Sequence, residues 1–90
     1  MSTESSRESG PRLTLLVRSY CHLCDEMREA LAPVLGARGA TLEVIDVDGD
    51  RELEARWGDK IPVLLAGERE LCHHRLDRTV LAAWLADMLR

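Results

Sequence analysis

Two cysteines three positions apart, Cys21 and Cys24, with His22 and Leu23 between them, are the residues whose types and spacing point most directly to chemistry. A C-x-x-C pair passes electrons by closing and opening a disulfide, or it holds a metal through its sulfurs. Where the pair sits decides between these. At the first turn of a helix, unpaired backbone N–H groups and the positive end of the dipole favour a thiolate at the first cysteine. The second cysteine, one turn on, faces the same side and can attack a mixed disulfide formed at the first. Cys21 is therefore the candidate nucleophile and Cys24 the candidate resolving thiol. A protonated His22 would further favour the thiolate, whereas Asp25 and Glu26 in the same turn act against it.

The flanking sequence supplies that context. Leu13-Thr14-Leu15-Leu16-Val17 reads as a buried strand and Ser19-Tyr20 as a loop; Leu23, Met27, Leu31 and Val34/Leu35 then recur at helical spacing. Pro33 is expected to kink or loosen this helix, and Gly36 or Gly39 to stop it in the left-handed conformation. Thr41–Val47 reads as a second strand, after which residues 46–50 turn the chain. Asp50 is placed to cap a short helix carrying Leu53 and Trp57 and ended by Gly58. Ile61–Leu65 reads as a third strand with Pro62 near its start, and a turn over residues 66–69 leads to a fourth, Glu70-Leu71-Cys72. Asp77 caps a last helix with a stripe of Val80, Leu81, Trp84, Leu85, Met88 and Leu89, stapled by Leu76 against Leu81. The order β-α-β-α-β-β-α predicts an α/β fold, a four-stranded mixed sheet with three helices. A right-handed crossover joins its parallel pair, and a hairpin closes it.

Composition narrows the function classes. The chain has 90 residues and a net charge of -4, enough for one domain, expected over residues 12–90 after a polar, mobile tail at 1–11. No apolar run approaches the roughly 20 residues of a membrane span, and nothing behind the first residues resembles a signal peptide. The expected location is the cytoplasm. Eleven of the twelve basic residues are arginines scattered from Arg7 to Arg90, and the aromatic residues are only Tyr20, Trp57 and Trp84, so no nucleic-acid surface is expected. Both tryptophans fall on apolar helical faces and read as core. Three cysteines are too few, and odd in number, for a disulfide-stapled scaffold.

The element order, the segment Tyr20-Cys21-His22-Leu23-Cys24 and the Ile61-Pro62 strand start resemble the thioredoxin fold. Within it they are most similar to the glutaredoxin-like family of small thiol–disulfide oxidoreductases, over about Leu13 to Arg90. The resemblance implies that Pro62 is cis and that Ile61 lies beside the active cysteine, where its backbone pairs with an extended substrate such as glutathione. It makes Arg18, Tyr20, Ile61 and Pro62 the candidate substrate-binding residues, with Arg18 helping to hold a glutathione carboxylate. It also implies a monomer with no built-in organic cofactor, exchanging disulfides with a protein partner or with glutathione as co-substrate. The chain departs from glutaredoxins in three places. His22-Leu23 replaces a proline-containing pair, Lys60-Ile61-Pro62 replaces Thr-Val-Pro, and Cys72-His73-His74-Arg75 replaces a Gly-Gly before the last helix. The pattern is nearer to divergent glutaredoxin-like proteins.

Two other readings compete. Cys21, His22, Cys24, Cys72, His73 and His74 include enough soft ligands for a tetrahedral zinc site or an Fe–S cluster, provided the 72–74 segment approaches the first loop. Against this, no second C-x-x-C or H-x-x-x-H is present; Cys72 also reads as a half-buried strand thiol, and the histidines as a polar rim. The other alternative is a domain that keeps the fold to bind a partner without catalysis.

Overall fold

The computed structural model describes residues 10–88; residues 1–9 of the expected tail, together with Leu89 of the expected last apolar stripe and Arg90, lie outside the described residues. Seven regular elements follow one another: β1 (Arg12–Val17), α1 (His22–Arg38), β2 (Thr41–Asp46), α2 (Arg51–Trp57), β3 (Val63–Ala66), β4 (Arg69–His73) and α3 (Arg78–Met88). Single 3-10 turns occupy Val47–Gly49 and Gly58–Lys60. The strands form one sheet in the order β2-β1-β3-β4. β1 and β2 are parallel with Leu15 opposite Val44, β3 is antiparallel to β1 with Leu15 opposite Leu64, and β4 is antiparallel to β3. This is the mixed sheet and element order that the sequence predicts.

Successive side chains on a strand point to opposite faces, yet Leu15 and Leu16 are both buried, so both faces of β1 are covered. That is why β1 reads as a continuous apolar run rather than an alternation. α1 buries Cys24, Met27, Leu31 and Leu35 on one side, and α3 buries Leu81 and Leu85. α2 buries no residue fully; Leu53 and Trp57 pack against the core half-buried. Two carboxylates cap as expected: Asp50 accepts the N–H of Leu53, and Asp77 that of Val80, each at 3.0 Å.

Several local expectations need correcting. α1 runs through Pro33 without interruption. The proline is exposed to solvent, and so is Glu29, the residue whose carbonyl loses its helical donor to the ring. Of the two glycines expected to stop α1, Gly39 does so, with φ 67° and its N–H directed at the Gly36 and Leu35 carbonyls. β2 stops at Asp46, and the following turn drives Val47 fully into the core. Gly58 is right-handed at φ -53°, so the chain tightens into the 3-10 turn instead of reversing. β3 begins at Val63, after an Ile61–Pro62 bond that is cis, and β4 extends one residue beyond the expected span at each end. Pro11 is buried, and its carbonyl accepts the N–H of Thr41 at 2.9 Å, so hydrogen bonding to the β2 end of the sheet begins there.

Candidate functional site

β1 delivers the chain to the start of α1 through Arg18, Ser19 and Tyr20, and Tyr20 makes the change of direction with φ 56°, its ring fully exposed. Cys21 is the N-cap of α1, extended at φ -110° and ψ 104°; its Sγ accepts the N–H of Cys24 at 3.1 Å, and its carbonyl accepts that of Asp25 at 3.2 Å. A sulfur thus occupies the place where a serine or aspartate oxygen usually satisfies an orphan donor of the first turn. An N–H donor at this position of a helix favours negative charge on the atom that it faces. Cys21 and Cys24 are joined as a disulfide, with Cα atoms 5.2 Å apart. Their surroundings differ: Cys24 is 2% exposed and packs in the core, whereas Cys21 is half-buried. An incoming group therefore meets Cys21 first.

His22 is well exposed, with Nε2 3.0 Å from the Glu26 carboxylate one turn along α1. Ile61 and Pro62 bury their side chains. The carbonyl of Pro62 accepts the N–H of His74 at 2.8 Å. The His74 ring reaches back, with Nε2 3.0 Å from the Asp59 carbonyl, a contact that requires the proton on Nε2. His74 is itself left-handed at φ 66°. Arg18 is engaged within the protein: its guanidinium donates to the Gly58 carbonyl at 2.9 Å and lies 3.1 Å from Glu54 and 3.6 Å from Asp48.

The proposed metal ligands are not gathered. Among the described residues, no three or more His, Cys, Asp or Glu side chains converge as a metal site. Cys72 is buried on β4, and burial pushes its thiol pKa up. His73 pairs with Glu70, which also meets Lys60 at 3.4 Å. The hydrogen bond to His73 is the largest influence and, with help from Lys60, holds the Glu70 carboxyl below its usual range against the opposing effect of burial. A groove of about 260 Å³ runs beside the cysteine motif, between Leu23, Met27 and Ala30 on α1 and His74, Arg75 and Leu76 before α3. A cavity of about 640 Å³ between α1 and β2, lined by residues such as Arg28, Leu35, Leu42 and Val44, contains neither cysteine. Sequence reasoning missed Asp48, Glu54 and the Gly58 carbonyl as partners of Arg18, and the two bonds that His74 makes to the 59–62 segment.

A sheet ordered β2-β1-β3-β4, with its parallel pair joined by the helix that the cysteines open, has the architecture of a thioredoxin-fold protein. The thioredoxin Deadhead of Drosophila melanogaster is similar at a TM-score of 0.61 and 21% identity, over 97% of this chain and 89% of its own, a likeness of fold alone. Residues 12–86 match the glutaredoxin-like domain family (DUF836), and the chain belongs to that family. Within reach of ordinary sequence comparison are an uncharacterized protein of Mycobacterium tuberculosis, 35% identical over 87% of this chain and 86% of that one, and a protein of Nitrosomonas europaea known from its solution structure. The latter superposes with a TM-score of 0.77 at 38% identity, over 84% of this chain and 92% of its own. No helix among the described residues is long and apolar enough to cross a membrane.

Proposed function

We propose that the protein is a thiol–disulfide oxidoreductase that exchanges its Cys21–Cys24 dithiol with a protein disulfide or a glutathione mixed disulfide. The observation that carries this reading is the asymmetric cysteine pair at the start of α1: Cys21 reachable and capped by an N–H, Cys24 buried behind it at bridging distance. In the reducing direction Cys21 loses its proton and its thiolate attacks one sulfur of the partner disulfide. A Cys21–partner disulfide forms, and the other partner sulfur leaves as a thiolate that takes up a proton. Cys24 then loses its proton and attacks Sγ of Cys21, closing the internal disulfide and releasing the second partner thiol. Two electrons pass from the dithiol to the partner. Glutathione, or a reductase with a dithiol of its own, returns them.

Tyr20 and the backbone at Ile61 and Pro62 form the surface on which the partner lies, and His22 adjusts the charge beside the cysteines. The reading needs no bound organic cofactor and no metal, and it takes the protein as a cytoplasmic monomer. The experiment is a titration of the purified protein across a range of reduced-to-oxidised glutathione ratios, with alkylation and intact-mass readout. Conversion of the reduced form to one about 2 Da lighter before alkylation, in which Cys21 and Cys24 take up no alkyl group, is the expected result. A pair that stays reduced throughout and resists alkylation would leave a partner-binding domain, and stoichiometric zinc or iron after aerobic purification would turn the reading to metal binding.

A further inference from the structure

Three segments are tied to one another: the loop 18–21 that ends in Cys21, the turn 58–60 that runs into Ile61–Pro62, and the 73–75 link between β4 and α3. The second and third are tied by the two His74 bonds. The first and second are tied by Arg18. Its guanidinium donates to the carbonyl of Gly58 at 2.9 Å while facing Glu54 at 3.1 Å and Asp48 at 3.6 Å. Ser19 anchors the same loop to the turn after β2, donating its N–H to Asp48 at 3.3 Å and its hydroxyl to Asp46 at 3.4 Å. Asp46 in turn fixes Asp48 by accepting its N–H at 2.8 Å. Gly58 contributes by what it lacks: a Cβ there would run into the Glu54 carboxylate that reaches Arg18.

This arrangement bears on what Arg18 can do for a substrate. One guanidinium set against two carboxylates leaves a local charge of about -1, so a third carboxylate, such as those of glutathione, is repelled rather than drawn in. The planar fork, with five donors held in fixed directions, also suits the task of serving several separated acceptors at once better than a compact ammonium does. We infer that Arg18 is a positioning residue, which ties the loop carrying Cys21 to the turn delivering Ile61–Pro62 and so sets the spacing between the attacking sulfur and the backbone that receives a substrate. The inference rests on the oxidoreductase reading and departs from the role that the family resemblance implies for this arginine.

The test compares the wild type with Arg18→Gln, Arg18→Lys and the double variant Asp48→Asn/Glu54→Gln. Each is fully reduced and reacted in single turnover with bis(2-hydroxyethyl) disulfide, which is neutral, and with glutathione disulfide, which carries carboxylates. All reactions are run well below the thermal transition of each variant. A misplaced reacting pair costs on the order of 10- to 100-fold, so Arg18→Gln is expected to slow both disulfides by the same factor, about tenfold or more. Arg18→Lys should recover only part of that. The double variant, which releases the guanidinium, should slow the neutral disulfide as well and give glutathione disulfide no advantage. Loss confined to glutathione disulfide in Arg18→Gln, or a gain for it in the double variant, would show a carboxylate ligand and overturn the inference.

Amide hydrogen exchange supplies a readout that needs no activity. Faster exchange in Arg18→Gln at both 18–22 and 58–62 is expected, and unchanged exchange at either segment refutes the tie. A wild type inert to both disulfides sinks the oxidoreductase reading, while the exchange data still decide whether Arg18 joins the two segments.

Discussion

Replacing Cys24 by serine should turn a fleeting mixed disulfide into a stable one. In the wild type, Cys24 attacks from within the same turn, its Cα 5.2 Å from that of Cys21, inside the window in which two cysteines bridge without backbone movement. Well-oriented intramolecular reactions reach effective concentrations of about 10⁵ M and above; taking only about 1 M, Cys24 still outcompetes about 1 mM external thiol roughly a thousandfold. The adduct at Cys21 should therefore live about 10³ times longer in Cys24→Ser than in the wild type under that thiol. Reduced protein mixed with a peptide disulfide, quenched with acid at intervals and weighed intact, gives both lifetimes. The complementary Cys21→Ser should form no adduct at a comparable rate, because Cys24 is 2% exposed. Equal adduct lifetimes in the wild type and Cys24→Ser, or an adduct on Cys24 forming as fast as that on Cys21, would refute the division of roles.

Leu31 is fully buried where α1 meets the sheet, so Leu31→Ala should cost about 2–5 kcal/mol and lower Tm by about 4–8 °C per kcal/mol, read by thermal denaturation. Met88→Ala, at a half-exposed site, is the control and should change Tm little. Asp50→Ala removes the cap of α2 and should cost about 1 kcal/mol in urea denaturation, with Asp50→Asn nearly neutral. Because the folded-state pKa of Glu70 is lowered, first by its hydrogen bond with His73 and then by Lys60, its pairing adds stability that is fully present above the ordinary glutamate pKa. That stability is lost as pH falls through the lowered folded value. Glu70→Gln should therefore flatten the acid limb of a plot of urea midpoint against pH, and identical limbs would show that the pairing adds nothing.

The elements were readable because each rests on a local pattern. The apolar run of β1 and the three-to-four spacing of Leu23, Met27, Leu31 and Leu35 need no distant partner to be recognised. The same patterns placed Cys21 at a helix start. The cis state of Pro62 followed only from family resemblance, since local sequence leaves an X-Pro bond mostly trans. The engagement of Arg18 was hidden because its partners Glu54 and Gly58 lie 36 and 40 residues away, and nothing in their neighbourhood singles them out among the acidic and glycine residues. Gly58 misled for a related reason: after a helix it suggests a left-handed stop, whereas here it makes room for a side chain. Pro33 misled because the penalty for a helical proline depends on which side it faces, and a surface position lets water replace the missing donor.

The strand preceding the cysteines is an interior one, held along both edges by β2 and β3. A macromolecule tethered through Cys21 would tug on the chain as it tumbles, and the pull would enter an interior ribbon of the sheet rather than its rim. Peeling that ribbon loose means rupturing two ladders at once. On the oxidoreductase reading, the load of a client joined to Cys21 would therefore fall on the interior of the sheet.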